Sequence, residues 1–314
     1  MGKMATDRSQ STLVDDVLRD EMARSNRALR SLAPVVSHLL ESDGPSLVSD
    51  AIVARLRGML SHIAFQLVEH FWGGRDTGGR LSAAKARLND QLLSDAPLVD
   101  HLYSLALESF LAQSLAARSG IDPVLSPLLQ ELIASDKPEI AEIGMKVLAA
   151  QSRFTQSQAR MELPLSELPH ELLLSVIAHI KAGDTEQTQT QIADAGNRLK
   201  QGIDEADSRI ALLSRLATSM QGGAVAALNL NHSGLALFIS SAASLTRQDR
   251  ERIVFACHEG QAVRLALTLK AAGMNGPAIG RQIALLGGQT GLPQGIETMA
   301  QSHAIDALRE MSAV

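Results

Sequence analysis

The chain has 314 residues, a net charge of −5, 45% hydrophobic residues and only 3% aromatic residues. The hydrophobic fraction is large enough for a buried core, which excludes global disorder. The acidic balance argues against nucleic acid as a partner, because binding it requires basic groups that displace counterions from phosphates. A core with so few aromatic side chains must be aliphatic, and a composition rich in leucine and alanine favours helices over strands.

The cellular compartment follows from the cysteine count and the chain start. Cys257 is the single cysteine, so no internal disulfide can form and a reducing cytoplasm is expected. No apolar run is expected to be long enough to cross a bilayer. The first residues fit the pattern M-G-x-x-x-[ST] for myristoylation, which is short and unspecific. We therefore expect a cytoplasmic protein without a membrane partner.

The first predicted helix runs from about residue 11 to residue 38. Its apolar seam alternates spacings of four and three, with a serine as an interruption: Leu18, Met22, Ser25, Leu29, Leu32, Val36 and Leu39. Pro34 is expected to kink or restart the helix. A homodimer through this helix is possible, but the seam is short and packing against neighbouring helices of the same chain is favoured. Three arginines on this helix are interpreted as a solvated face: Arg24, Arg27 and Arg30.

The second predicted helix contains the stretch HIAFQLVEHFWGG, residues 62–74. On a helical projection its apolar side chains share one broad arc: Ile63, Ala64, Phe65, Leu67, Val68, Phe71 and Trp72. The polar side chains share the other arc and are expected to face solvent: His62, Gln66, Glu69 and His70. The two histidines lie eight residues apart, which does not fit the i, i+4 spacing of a helical zinc pair. His62 is the one candidate phosphoacceptor, provided that its ring is exposed.

A glycine-rich break at residues 73–79 is followed by a possible repeat. The form Ser-Asp-x-Pro occurs at residues 42–45, 94–97 and 135–138, where Ser or Asp can cap a helix and Pro fits its first turn. The last two copies are 41 residues apart, close to the period of HEAT-like repeats. GIDP at residues 120–123 is expected to open another helix between them.

The rest of the chain predicts short helices separated by caps, prolines and glycines. The sequence turns polar after Arg153, Pro164 and Pro169 are expected to flank a short linker, and two helical lobes would divide near residues 154–166. In LTRQDRERI, Thr246 is predicted to be an N-cap with Asp249 in a capping box. In AAGMNGP, a glycine ends one helix and Pro277 starts the next. The domain prediction is an N-terminal helical hairpin (1–78), a HEAT-like segment (79–160) and a C-terminal helical domain (161–314).

The candidate catalytic and metal-binding residues lack the partners that such motifs require. His170-Glu171 and His258-Glu259 each lack the second histidine of a zinc helix. Cys257 is predicted to be a buried structural thiol, because its neighbour His258 would point away from it on a helix. The glycines at residues 273–280 and 287–295 fit helix ends and no phosphate loop. We therefore predict no catalytic residue, no metal site and no cofactor.

Three segments resemble one known family. ASDKPEIAEIGMKVLAAQ (residues 134–151), LPHELL (168–173) and LTRQDRERIVFACHEGQAVRLALTLKAAGM (245–274) are similar to sequences of the DUF2336 family of alphaproteobacteria. The resemblance covers about residues 120–310 and rests mainly on helix patterning. It implies a run of helices with HEAT-like character in a bacterial cytoplasm, and it provides no catalytic residues.

The sequence thus predicts an all-α protein of antiparallel helix pairs, arranged as a HEAT-like array or two helical lobes. Such arrays expose long surfaces that suit protein partners, so a non-enzymatic interaction or regulatory protein is the leading functional prediction. One alternative is a histidine-phosphotransfer module that uses His62. Another is a helical protein that binds a small ligand in a pocket assembled from distant residues.

Overall fold

The computed structural model describes residues 17–28, 30, 49–72, 79–181, 186–287 and 295–312, and within these ranges it contains helices and no strand. The all-α prediction is confirmed. Residues 17–28 and residue 30 are helical and belong to α1. The helices that follow are α2 (Asp50–Trp72), α3 (Gly79–Leu93), α4 (Ala96–Ser119), α5 (Pro127–Ile133), α6 (Pro138–Ala159), α7 (His170–Lys181), α8 (Glu186–Gln201), α9 (Arg209–Ser219), α10 (Leu230–Thr246), α11 (Arg250–Ala256), α12 (Ala262–Ala271), α13 (Gly276–Leu285) and α14 (Gln301–Ser312).

The chain forms two compact units, each assembled from separate stretches of sequence. The first unit collects the described parts of residues 1–32, 111–144 and 213–314, and the second those of 33–110 and 145–212. The limits of the units fall inside α4, α6 and α9. The sequence-based division into residues 1–78, 79–160 and 161–314 stays a prediction.

The second unit is organised by a closed set of helix pairs. Helix α2 packs on α3 and α8, α3 packs on α7, and α7 packs on α8. The part of α4 that belongs to this unit is buried on every side over residues 101–109. A helix segment without a solvent face is typical of a core element. This segment carries polar residues, among them Glu108, which must find partners inside the protein.

The first unit is organised around α10 and α12. Helix α10 packs on α5, α11, α12 and a 3-10 segment (Gln221–Leu228), and α12 packs on α11, α13 and α14. Helix α10 has a kink at Gly234, whose φ of 66° is unfavourable for residues with a side chain. A side chain at Gly234 would also press on Ser126, the N-cap of α5.

Several caps occupy their predicted places. Helix α4 begins at Ala96, directly after Asp95, whose carboxylate accepts a hydrogen bond from the Leu98 amide. Helix α12 is followed by Gly273, which has a φ of 98°, and Asn275 caps α13 with Pro277 in its first turn. These predictions are confirmed. The Ser-Asp-x-Pro copy at residues 42–45 lies outside the described residues.

Three local predictions are wrong. GIDP does not open a helix, because Asp122 accepts the amides of Val124 and Leu125 in a turn and α5 begins four residues later. The polar stretch after Arg153, where the division at residues 154–166 was expected to begin, is still helical, because α6 continues to Ala159.

The predicted capping box at Thr246 is the third. Thr246 is the last residue of α10, and its hydroxyl donates to the Ala242 carbonyl. Arg247 adopts the left-handed conformation that ends the helix. Asp249 therefore occupies the N-cap position of α11, without a side-chain cap bond.

The N-terminal seam packs inside the first unit. Leu18, Met22 and Ser25 are buried, as favoured by the sequence. The other members of the seam and the predicted kink lie outside the described residues: Leu29, Leu32, Pro34, Val36 and Leu39. The arginines of α1 lie on its exposed side, which confirms the solvated face. A homodimer through α1 stays a prediction, and it would have to use a face other than this seam.

One helix corrects the expectation about apolar length. Helix α2 has 23 residues and is long and apolar enough to cross a bilayer by length and composition. Half of its most apolar window is buried against the rest of the protein, which is typical of a core helix of a soluble protein. Phe65, which was predicted on the apolar arc, is 47% exposed and lies beneath the ammonium group of Lys85. Periodicity places a side chain on a helix but does not show how far the neighbours extend over it.

Candidate functional site

His62, the predicted phosphoacceptor, is half-buried and engaged through one ring nitrogen. Its Nδ1 lies 2.9 Å from the Leu163 carbonyl oxygen, 3.2 Å from the Leu163 amide nitrogen and 3.0 Å from Nε2 of Gln66. Depending on the tautomer, Nδ1 donates to the carbonyl or accepts from an amide, and in both cases it holds the segment after α6 against α2. The structure thus gives His62 a packing role, and phosphotransfer stays a prediction.

The remaining polar side chains of α2 were expected simply to face water. Gln66 instead donates to the Leu163 carbonyl and accepts from the Leu165 amide. His70 is exposed, yet its Nε2 lies 3.1 Å from the Ala195 carbonyl oxygen of α8. The expectation of a purely solvated stripe is therefore wrong. A polar pattern identifies a face that avoids the apolar core, but it does not distinguish water from the backbone of another segment.

A serine, a histidine and an aspartate meet in the second unit. Asp95 accepts a hydrogen bond from Ser175, and its Oδ2 lies 3.2 Å from Nε2 of His179. A nucleophilic triad requires the histidine to stand between the other two, whereas here both side chains bind the same carboxylate oxygen. The other carboxylate oxygen caps α4. This cluster therefore fastens α7 to the start of α4.

A second polar cluster is built around Arg209, which is 1% exposed. Its guanidinium donates to both carboxylate oxygens of Glu108 and to Oε1 of Gln151. It also stacks on Phe154, with Cζ 3.6 Å from the ring centre. The groups around the guanidinium are buried residues of the second unit, so the arrangement satisfies an internal charge.

The best candidate site is a depression of about 410 Å³ in the first unit, the arginine groove. The end of α4 contributes Arg118 and Ser119, the start of α10 contributes Asn231, and α13 contributes Arg281 together with an apolar floor, Ala284 and Leu285. Both charged side chains in the lining are cationic. In a chain with a net charge of −5, two guanidiniums in one depression mark a local reversal of charge.

Arg118 is held in place by the end of α13. One of its terminal nitrogens donates to the Leu285 carbonyl at 3.3 Å, where a cation also complements the helix dipole. Gly287 leaves space for this guanidinium, since a Cβ there would lie 2.7 Å from Nη1. Gly287 also has a φ of 88°, which disfavours any side chain. A fixed guanidinium loses less entropy on binding an anion than a mobile one.

The other polar side chains of the groove carry N–H and O–H groups that can donate hydrogen bonds to a ligand. Arg281 is exposed and has no ion pair among the described residues. The side chains of Ser119 and Asn231 line the same depression. Guanidinium groups bind carboxylates and phosphates through parallel N–H donors, and the apolar floor suits an adjoining aliphatic group. The groove can therefore bind an oxyanion that carries an apolar neighbour.

Sequence reasoning missed this groove. Its arginines are 163 positions apart in the sequence, a separation obtained from the residue numbers 281 and 118. The glycines at residues 287–295 were interpreted only as a helix end. The available signal was a glycine after an arginine-bearing helix, but the partner in α4 becomes visible only when the helices are packed.

In the part of the chain that is described, no group of three or more His, Cys, Asp or Glu side chains is placed to hold a metal ion. Cys257 is fully buried, which confirms the structural interpretation of this thiol.

A scan against models of protein families and searches of curated proteins and of solved structures found no match. Membership of the DUF2336 family and a HEAT-like repeat therefore stay predictions.

Proposed function

We propose that this protein is a non-enzymatic helical scaffold that binds an acidic segment of a protein partner in the arginine groove. The observation that carries the proposal is the meeting of two guanidiniums, Arg118 and Arg281, above an apolar floor. Arginine is enriched at the energetically important positions of protein–protein interfaces, where it lies beside apolar contacts. A cytoplasmic setting and a regulatory role belong to the same proposal.

The groove favours an acidic partner for an electrostatic reason. A carboxylate near both guanidiniums gains two charge-assisted interactions, whereas a basic segment would meet repulsion from both. The depression is open, which suits a chain segment that lies across it. Binding is expected to weaken with salt, because exposed charges are screened.

The test compares three full-length proteins in pull-downs from the native host. Arg281→Glu reverses one charge of the groove, and Arg309→Glu reverses an exposed arginine of α14, where Arg309 pairs with Asp306 at 3.6 Å. The proposal expects a partner that is retained by the wild type and by Arg309→Glu, lost with Arg281→Glu and eluted by moderate salt. Identical partner sets for all three proteins would refute the proposal.

A small anionic ligand is the second candidate. The volume of the depression lies within the usual range for ligand sites, roughly 300–1,000 Å³. Thermal-shift titration with inorganic phosphate and with dicarboxylates tests it. A shift that Arg281→Glu abolishes and Arg309→Glu preserves would support this candidate. A flat response across the panel would leave the protein partner as the sole occupant.

A further inference from the structure

Arg264, in α12, is a buried cation whose side-chain hydrogen-bond partners among the described residues are neutral. Its side chain is 4% exposed. Its Nε donates to the Ser25 hydroxyl at 2.6 Å, and a terminal nitrogen donates to the amide oxygen of Asn26. Both acceptors belong to α1, and the Ser25 hydroxyl in turn donates to Gln261. The guanidinium thus lies beneath α1 and binds it.

The charge of Arg264 is poorly compensated. Among the described residues no carboxylate lies at ion-pair distance from it, although buried arginines are normally paired with acids. Burial, together with the nearby charge of Arg252, lowers the pKa of Arg264 to about 10. At neutral pH the group still carries its proton, so among the described residues this cation under α1 has no acid to compensate it.

The described part of α1 buries few apolar side chains against the helices beneath it. Within residues 17–28 the buried apolar side chains are Leu18 and Met22, while Val17 is 58% exposed. Within the described residues, α1 is also attached by the neutral hydrogen bonds to Arg264. These bonds are weaker than a guanidinium–carboxylate or guanidinium–phosphate pair.

We propose that Arg264 is the centre of an oxyanion-binding site that α1 covers, and that a phosphate or carboxylate group displaces Ser25 and Asn26 from the guanidinium. The ligand supplies the negative charge that no described carboxylate supplies to Arg264 in the covered state. Ligand binding and release of α1 are thereby linked: the anion favours the uncovered state because only that state presents the guanidinium.

The linkage is tested by hydrogen exchange of the full-length protein. The amides of residues 17–28 are followed with increasing inorganic phosphate, with acetate as a separate arm, and with sodium chloride at matched ionic strength as the reference. Phosphate or acetate is expected to accelerate exchange at residues 17–28 by roughly tenfold, because helix amides that lose their packing open more often. The arm that responds identifies the preferred oxyanion.

Three variants assign the effect to Arg264. Asn26→Asp gives the guanidinium an acid within the covered state, so α1 should exchange more slowly and its response to phosphate should weaken. Arg264→Gln removes the cation, so the response should vanish. Arg281→Glu alters only the arginine groove and should respond like the wild type, which separates this site from the proposed function.

Two outcomes would overturn the proposal. One is exchange in α1 that neither phosphate nor acetate accelerates beyond the chloride reference. The other is a response that survives unchanged in Arg264→Gln. If that variant does not fold, Asn26→Asp decides alone: a response equal to that of the wild type rejects the site, and a weakened response supports it.

Discussion

Arg209 and Glu108 form a bidentate ion pair that is almost completely enclosed in the second unit. The two nitrogen–oxygen distances are 2.9 Å and 2.8 Å, and the side chains are 1% and 2% exposed. Arg209 also begins α9, and its own amide donates to the carboxylate of Glu167. One residue thus joins the start of α9 to the buried part of α4.

Breaking this pair on one side should be costly. Glu108→Leu leaves the guanidinium buried without its acid, and we expect the free energy of unfolding to fall by about 3–5 kcal/mol. Replacing both partners, Glu108→Leu with Arg209→Met, should restore most of that loss, since apolar substitutes of similar volume are often close to neutral. Chemical denaturation of the three proteins measures the difference.

The control for this prediction is an exposed ion pair. Removing Asp306, which pairs with Arg309 on the surface of α14, should change stability by less than about 1 kcal/mol. If Glu108→Leu lowers the free energy of unfolding no more than Asp306→Ala does, the buried pair of Arg209 and Glu108 does not stabilise the protein as expected.

Gly58 and Met161 give a prediction about close packing. A Cβ on Gly58 would lie 2.4 Å from the Met161 Cβ and 2.6 Å from its carbonyl oxygen. We expect Gly58→Ala to destabilise the protein by about 1–2 kcal/mol, because overpacking outweighs the gain in helix propensity of roughly 1 kcal/mol. Thermal or denaturant unfolding measures this.

Two further variants sharpen the test of Gly58. Gly223→Ala meets nothing within 4 Å and should change stability little. Met161→Gly removes one of the two clashing atoms and relieves a residue with a φ of 58°. In that background Gly58→Ala should be partly tolerated, although the carbonyl oxygen remains in the way. An unaltered cost in the double variant would show that the clash is not the cause.

Replacing Asp100 with asparagine should raise the free energy of unfolding by an amount that depends on pH. Burial raises the pKa of its carboxyl group above the ordinary value of 3.8, and Oδ1 is buried without a hydrogen-bond partner. Above its folded pKa the ionised group destabilises the native state, because the native state binds the proton more tightly than the unfolded chain. Asp100→Asn should therefore be more stable than the wild type at pH 7.

The advantage of Asp100→Asn should shrink as the pH falls through the raised pKa and be lost below about 3.8, where the aspartate is neutral in both states. Denaturation at several pH values follows this difference. The exposed Asp194→Asn controls for the loss of one surface charge. A stabilisation by Asp100→Asn that stayed constant down to acid pH would contradict the buried-charge explanation.

His62 allows its packing role and the phosphotransfer hypothesis to be measured together. His62→Ala loses the hydrogen bonds at Leu163, and we expect a loss of about 0.5–1.5 kcal/mol in unfolding free energy. In parallel, the wild type is incubated with a labelled phosphodonor kinase. Label that appears on the wild type and disappears in His62→Ala would support phosphotransfer, while His70→Ala serves as the matched histidine control. Without any label on the wild type, the packing role alone remains.

Local pattern was sufficient for much of the secondary structure. The leucine- and alanine-rich periodicity predicted helices, and the caps near Asp95 and Asn275 lie where the sequence places them. These features depend on neighbours along the chain, so one sequence contains the necessary information. The prediction for Thr246 failed because Arg247 ends α10 in a left-handed conformation that propensity does not favour.

The sites depend on contacts between distant positions. Arg118 meets the end of α13, and Arg264 meets Ser25 across most of the chain length. In the sequence Ser25 only interrupted an apolar seam, while in the structure it accepts a hydrogen bond from a buried cation. A pattern records that a residue is polar, but its partner is set by how the helices pack.

The sequence alone determined that this protein is helical, because propensity, periodicity and capping act over a few residues. Only the tertiary structure decided which charges are enclosed and which remain available. Arg209 pairs with an acid in α4, and Arg264 donates hydrogen bonds to neutral oxygens in α1. Arg281 has no ion-pair partner among the described residues. The physical reason is that the cost of burying a charge depends on the groups that packing brings beside it, and these come from remote parts of the chain.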